Sequence, residues 1–443
     1  MREDTKKHKE MKILATSDWH LGNMFHGNDR LEEHKHFLRW LLQQLREQQP
    51  DALLVAGDVY DNGNPSAAAQ AVYYDFLASA QEECPQMRIV ITAGNHDAAS
   101  RLEAPRPLLT RSRVEVRGTL HRVWVPDVEA DGQGTWQTDL DDLIVPLDDR
   151  YVVLVVPYLR SDVVMSYQKG KDSGNDEQTS YTRGVSLLLK DLTERARELY
   201  PGRRLVMMAH MYATGAEIAS HDASEKIVIG GLEEVNMEDW SDHPDYLTCG
   251  HIHKRQHIWQ TDWARYTGSV LPMSFAEKDY THGVDMITMD EEHRRPKVEL
   301  LEYKPQHRLR VLPETDEDMT QKQLEKLIKK ELRERQNGEL GDDYDYVMLK
   351  VNQDRMRSND EVKALEQLVN SMNAVHCKTQ RIVKGLDVTT LSGQRQLKSI
   401  DDIMNRDVME TLRECYAVMT GMALTERQEL LLREIVSTST ANN

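Results

Sequence analysis

The sequence predicts an α/β fold, and two observations carry the prediction. Between residues 11 and about 116, apolar runs alternate with stretches of helical periodicity. Each run also ends in a polar cluster. The runs are Lys12-Ile13-Leu14-Ala15, Ala52-Leu53-Leu54-Val55, Arg88-Ile89-Val90-Ile91 and, further along, Leu205-Val206-Met207-Met208 and Tyr246-Leu247-Thr248. Short β-branched or aliphatic runs of this kind read as buried strands. Their alternation with helices implies a layered βαβ core.

Residues 1–10 are charged throughout and are expected to be a disordered extension, with the first strand beginning near Met11. Over 30–48, Leu31, Phe37, Leu38, Leu41, Leu42 and Leu45 keep helical spacing. A second helix follows Pro65, which suits a first-turn position, and carries Ala67, Ala68, Ala71, Val72, Phe76 and Leu77. The acid-rich stretch 127–149 reads as a linker. The longest apolar run, 151–158, is a strand, 169–179 is a polar loop, and a helix over 181–199 leads into the strand that ends at His210. Short strands at 265–268 and 284–289 close this domain, which spans 11–303.

From residue 304 the pattern changes. Strand 308–312, helix 320–335 (Leu324, Leu327, Ile328, Leu332), strand 346–351, helix 361–372 and strand 377–383 describe a small α/β domain over 304–395 with no catalytic signature. The tail, 396–443, predicts two amphipathic helices. The first carries Val408, Leu412, Cys415, Tyr416 and Met419. The second opens with Thr425 and Gln428 three residues on, a capping box, and continues Leu430, Leu431, Leu432, Ile435, Val436. Such a pair either folds back on its own domain or docks a partner.

At 443 residues the chain has room for two or three domains. No apolar run approaches the roughly 20 residues of a membrane span, and no secretory signal is evident. The four cysteines, Cys84, Cys249, Cys377 and Cys415, are far apart. That argues for a reducing cytoplasm and against a disulfide frame or a zinc ribbon. Cys249 precedes Gly250-His251 but reads as a buried strand thiol rather than a ligand. The net charge of −18 runs against nucleic-acid binding, which draws on cations displacing counterions. Acidic residues cluster at 127–149 and 314–318, whereas Arg101, Arg106, Arg111, Arg113, Lys254 and Arg255 lie near the polar clusters.

Those clusters hold the chemistry. They are Asp18-Trp19-His20, Gly57-Asp58-Val59-Tyr60-Asp61, Gly94-Asn95-His96-Asp97, Ala209-His210 and Gly250-His251-Ile252-His253. Strand ends are where α/β enzymes carry ligands on a rigid frame. Asp18, His20, Asp58, Asn95, His210, His251 and His253 make seven oxygen and nitrogen donors with no thiolate, a set suited to hydrolytic manganese, iron or zinc. Seven donors serve two metals that share one carboxylate, and two metals about 3.5–4 Å apart can clamp the attacking and leaving oxygens of a phosphoryl displacement. Asp58 is the natural bridge. His251 and His253, two apart on an extended segment, point to opposite sides and so serve different metals.

This constellation resembles the calcineurin-like metallophosphoesterases. Thr16-Ser17-Asp18-Trp19-His20-Leu21-Gly22, Val55-Ala56-Gly57-Asp58-Val59-Tyr60-Asp61, Ala93-Gly94-Asn95-His96-Asp97, Gly250-His251-Ile252-His253 and Tyr266-Thr267-Gly268-Ser269-Val270-Leu271-Pro272-Met273-Ser274-Phe275 are similar to segments of the bacterial SbcD family of nuclease subunits within it. The resemblance covers roughly 11–290 by motif and the rest by organisation only. It implies a two-sheet metallophosphoesterase sandwich flanked by helices. It also implies a small α/β capping domain over the site and a C-terminal helical tail.

The implied activity is a DNA exonuclease and endonuclease with two Mn2+ ions (Mg2+ as substitute). It would act on double-stranded ends and hairpins, as a homodimer, and with an SbcC-type coiled-coil ATPase bound through the C-terminal helices. The family pattern gives Asp18, His20 and His253 to one ion, Asn95, His210 and His251 to the other, and Asp58 to both. His96 would then face the scissile phosphate. Asp97 would orient an imidazole or brace a turn. Asp61 stands where archaeal and eukaryotic relatives carry a catalytic histidine, and Val270 replaces a proline expected after Gly-Ser. Two other readings stay open on the same fold: a small-molecule or protein metallophosphoesterase, and a non-catalytic scaffold.

Overall fold

The computed structural model describes residues 10–126, 134–171, 181–217, 235–237, 240–293, 295–315, 319–335, 344–352 and 359–382, with scattered positions between 409 and 433. The chain divides into two compact units, one ending at Gln306 and the other beginning at His307.

The first unit holds two six-stranded sheets. One runs, edge to edge, Lys297–Tyr303, His282–Met289, Met11–Thr16, Ala52–Ala56, Arg88–Thr92, Val114–Arg117. Its last four strands are parallel and the two before them antiparallel. The other runs Gln256–His257, Ala264–Tyr266, Tyr246–Gly250, Arg204–His210, Tyr151–Val156, Ile144–Pro146, with the four inner strands parallel.

The period-2 alternation of side chains along each strand sorts the core into three layers. Ile13, Ala15, Leu54 and Val90 pack with Val153, Val155, Val206 and Met208 of the second sheet, so this cluster joins sheet to sheet. The intervening Leu14, Leu53, Val55 and Ile91 pack outward on Phe37, Leu41, Tyr73 and Phe76 of helices Leu31–Gln48 and Ala67–Glu83. On the far side Val152, Leu154, Leu205 and Met207 meet Val185, Leu188 and Leu192 of helix Tyr181–Leu199. Strands buried on both faces are continuous apolar runs for this reason. Each such side chain contributes about 1.5–3 kcal/mol by leaving water. The result is the helix-flanked two-sheet sandwich expected above.

Three expectations change. Pro65 is not in the first turn. Helix Ala67–Glu83 starts two residues after it, because the Ser66 hydroxyl caps the helix by accepting the Ala69 N–H at 3.1 Å. The stretch read as a linker is built into the unit where it is described: Gly134–Thr138 pairs antiparallel with Arg122–Pro126. Two of its acids are also neutralised, Asp142 by Arg106 at 2.9 Å and Asp141 by Arg195 at 2.7 Å. Finally, four of the six basic residues near the polar clusters have internal partners: Arg101 on Asn64, Arg106 on Asp142, Lys254 on Glu217 and Arg255 on the buried Asp285.

The second unit carries three parallel strands, Leu309–Leu312, Asp345–Asn352 and Ala374–Ile382. Leu324 and Ile328 of helix Gln321–Arg335 and Leu365 and Val369 of helix Asn359–Asn370 pack on Val347 and Leu349. Most of the tail, Val408, Cys415, Met419, Leu430, Ile435 and Val436 included, lies outside the described residues, as does the extension 1–9. Within it the capping box is formed: the Thr425 N–H donates to Gln428 Oε1 at 3.0 Å and the Gln428 N–H to the Thr425 hydroxyl at 3.4 Å. Cys249 is fully buried in its strand, and burial pushes its thiol up. Among the described residues no helix is long and apolar enough to cross a membrane.

Candidate metal centre

The five polar clusters emerge from the carboxyl ends of five parallel strands, three in the first sheet and two in the second. That common polarity brings segments more than two hundred residues apart to one edge of the sandwich. Backbone bonds lock the loops together: Asp18 N–H to Gly57 O and His20 N–H to Asp58 O, both at 3.0 Å. Asp18, His20, Asp58 and His251 all have positive φ, a left-handed backbone that non-glycine residues adopt at a cost of order 1–3 kcal/mol and mostly at functional sites. Two glycines make the approach possible. A Cβ on Gly57 would lie 2.2 Å from His210 Nδ1, and one on Gly94 would lie 2.1 Å from Asp58 Oδ1.

Asp58 is central. Its Oδ2 is 3.7 Å from His20 Nε2 and 3.4 Å from His210 Nε2, and its Oδ1 accepts the His96 N–H at 2.8 Å. On one side, ligand atoms of Asp18, His20 and His253 lie within 4.8 Å of one another. On the other, Asn95 Oδ1 is 3.1 Å from His210 Nε2 and 2.8 Å from His251 Nδ1. His251 and His253 thus fall in different groups, and the Asp18 carboxylate accepts the His251 N–H at 3.0 Å. His96 stands edge-on to His20 with ring centroids 4.7 Å apart, and its own ring falls within ligand distance of His20 and Asp58. Its Nδ1 donates to the Asp61 carbonyl at 2.8 Å.

The two remaining carboxylates differ. Asp97 accepts backbone N–H groups from Gly94 (2.9 Å), Tyr60 (2.9 Å) and Val59 (3.1 Å), which ties the Asp58 loop to the Asn95 loop. Asp61 accepts from Asn23 Nδ2 at 2.7 Å and lies 3.6 Å from His20 Nδ1. The sequence reading missed Glu277, which is wholly buried with Oε1 3.0 Å from His253 Nδ1. It also missed Ser17, whose hydroxyl donates to Asp18 Oδ2 at 2.5 Å. Ser17 adjoins a named cluster. Glu277 carries no local signal, since only the fold brings it beside His253.

The electrostatics follow from burial and crowding. Burial opposes the Asp58 carboxylate, but the imidazoles of His210, His20 and His96 hold it well below the usual range. Burial would lower His210, yet Asp58 raises it to about 9. His251 is lowered to about 3 by burial and by His210. Asp97 is pushed up to about 7 by burial and by Asp58, against the pull of its three N–H donors. A metal fits here on the structure's own terms. His20 Nε2 is buried and makes no hydrogen bond to protein, an arrangement that a buried polar atom does not tolerate without a partner. The donors around it are all oxygen and imidazole nitrogen, which suit a divalent cation. The other acidic grouping, Glu103, His121 and Asp142, is already balanced by Arg106 and Arg117.

Residues 11–255 match the calcineurin-like phosphoesterase family. Among curated proteins, the chain is 36% identical over 284 residues to the D component of the SbcCD nuclease of Rhodobacter capsulatus, covering 63% of this chain and 66% of the relative. It is 30% identical over 278 residues to the Escherichia coli protein of the same name (63% and 65%). To that of Bacillus subtilis it is 28% identical over 281 residues (62% and 66%). In each case the match spans less than two thirds of the relative's length.

Proposed function

The chain belongs to the calcineurin-like phosphoesterase family, and from that premise we propose that it is the nuclease subunit of an SbcCD-type complex. It hydrolyses phosphodiester bonds of double-stranded DNA ends and hairpins with two divalent cations, manganese by preference. The carrying observation is Asp58, whose Oδ2 lies between His20 and His210, the place of a carboxylate shared by two ions. Asp18, His20 and His253 would hold one cation, Asn95, His210 and His251 the other. Bound cations of this kind polarise a phosphoryl group and make water acidic enough to attack at neutral pH.

The chain's own residues do the rest. A carbonyl only accepts, so the Asp61 carbonyl keeps a proton on His96 Nδ1. When the ring is protonated, Nε2 donates to the scissile phosphate, stabilising developing charge or protonating the leaving oxygen. Asp97 braces the loops of Asp58 and Asn95, and Asp61 faces the back of His20.

Of the arginines near the site, Arg101, Arg106 and Arg255 have internal partners, while Arg111 and Arg113 are exposed. The second unit offers a further source of positive field. Lys322, Lys326, Lys329, Lys330 and Arg333 are all exposed on helix Gln321–Arg335, and at 100° per residue they form one stripe. This supports reading the unit as a capping domain that contacts the phosphate backbone. The tail would dock the coiled-coil ATPase, and the protein would act as a homodimer that holds a duplex end from both sides.

The test is cleavage of end-labelled linear duplex by the purified chain with Mn2+, with and without ATP and the coiled-coil partner. Cleavage that needs Mn2+ supports the reading. Inertness toward DNA alongside turnover of a small phosphodiester would replace it with the small-molecule alternative.

A further inference from the structure

The two groups of candidate ligands are unequal in what stands behind their imidazoles. His210 Nδ1 donates to a backbone carbonyl, Ala56 O, at 2.8 Å, a neutral acceptor. His251 turns Nδ1 toward the Asn95 amide oxygen at 2.8 Å, the oxygen that His210 Nε2 also meets at 3.1 Å, so this nitrogen faces the candidate cation. His253 Nδ1 instead meets the Glu277 carboxylate at 3.0 Å, with both side chains almost wholly buried. His20 Nδ1 lies 3.6 Å from the Asp61 carboxylate.

Resting on the two-cation reading above, we propose that Glu277 is a positioning residue which, together with Asp61, makes the Asp18–His20–His253 group the tighter of two cation subsites, so that this group fills first.

A carboxylate only accepts, so Glu277 keeps the His253 proton on Nδ1 and leaves Nε2 as the nitrogen able to ligate. It also makes that nitrogen more basic, because negative charge behind the ring favours donation in front of it. At these separations in a buried site the Coulomb attraction between a carboxylate and a cation is weakly screened.

Glu277 is itself held firmly. Its Oε2 accepts the Met273 N–H at 2.9 Å, and it closes a short turn, Phe275–Glu277, capped by the Ser274 hydroxyl. One residue before Met273, the Pro272 carbonyl accepts from Arg30 at 2.6 Å, and Arg30 pairs with Glu33 at 2.8 Å inside the protein. The segment 272–277 is thereby anchored to helix Leu31–Gln48, and the carboxylate cannot swing away from His253 without breaking buried bonds. Behind His210, by contrast, the described acceptor is the uncharged Ala56 carbonyl.

Calorimetric titration of the metal-free full-length chain with Mn2+ tests this without any turnover assay. Two binding events of distinct affinity are expected. Glu277→Gln, which keeps the shape and removes the charge, should weaken the tighter event by roughly 10- to 100-fold and leave the weaker one unchanged. Glu277→Asp, which keeps the charge, should recover part of the loss. Two indistinguishable events in the wild type, or an unaltered tight event in Glu277→Gln, overturns the proposal while leaving the two-cation reading intact. Failure of the wild type to take up Mn2+ sinks the two-cation reading itself. Nitrogen-15 spectra of the metal-free wild type give a check that needs no variant: where the His253 ring is neutral its proton should sit on Nδ1, and a neutral ring protonated on Nε2 alone is incompatible with the proposal.

Discussion

The Asp97 carboxylate accepts the Tyr60 backbone N–H at 2.9 Å and, through its other oxygen, those of Val59 and Gly94. One side chain thus sets the spacing between the loop that carries Asp58 and the loop that carries Asn95. Asp97→Asn replaces an acceptor oxygen with a donor and strands at least one buried N–H, a loss of about 1–3 kcal/mol. The expected result is a lower melting temperature together with weaker Mn2+ binding. Lost activity with unchanged melting and metal affinity would instead place Asp97 in contact with substrate.

His96→Ala should abolish cleavage and leave Mn2+ uptake close to wild type. The group that reaches Asp58 from this position is the backbone N–H, which alanine keeps. Removing one proton donor from the phosphate should slow turnover by about 10²–10⁴-fold. His96 also lies within ligand distance of His20 and Asp58, so a variant that loses manganese by calorimetry would make it a ligand.

Lys326→Glu, Lys329→Glu and Lys330→Glu reverse part of the cationic stripe of helix Gln321–Arg335. These side chains are exposed and the Lys329–Glu325 pair at 3.9 Å is a surface one, worth at most about 1 kcal/mol, so the fold should be retained. Duplex affinity should fall, and the slope of log K against log salt should shrink by about 0.9 for each phosphate contact removed. An unchanged salt slope would assign the DNA contacts elsewhere.

Deleting residues 400–443 should separate two activities. Every candidate ligand lies at or before His253, so Mn2+-dependent trimming of short duplexes should survive. Joint, ATP-dependent cleavage with the coiled-coil partner should disappear. A truncated chain that still pulls down the partner as strongly as full length would make the tail part of its own unit.

Acid should destabilise the protein through His282. His282 is buried, donates to the Ser269 carbonyl, and is lowered to about 4 by burial. A histidine whose folded pKa lies below its unfolded value stabilises fully above the unfolded value, about 6.5. That contribution is lost as pH falls toward 4, a change on the order of 1–3 kcal/mol. His282→Gln should therefore show a flatter melting curve against pH between 6.5 and 4 than wild type. Parallel curves would remove His282 from the account.

Much of the candidate site was legible in the sequence because each cluster is local. An aspartate or histidine directly after a strand-forming run is recognisable without knowing its neighbours. His251 and His253 do fall in different groups, but through the positive φ of His251 in a loop beyond the strand rather than through extended alternation. The sandwich was legible for the same reason, since strands buried on both faces must be apolar throughout. Boundaries such as the Ser66 cap were less so, because proline and serine both mark helix starts and only hydrogen bonding chooses between them.

The tertiary structure alone decided what depends on distant partners. Glu277 lies 24 residues beyond His253, and no periodicity links them. Arg101, Arg106 and Arg255 are held by amides and acids reached only through the fold, and Asp141 and Asp142 are neutralised in the same way. Asp61 and Asp97 look alike in sequence, yet one faces an imidazole and the other faces backbone N–H groups. Sequence determines which groups stand at the strand ends, because that is local chain physics. Which charge stands behind each group is a long-range property, set only when the two sheets pack.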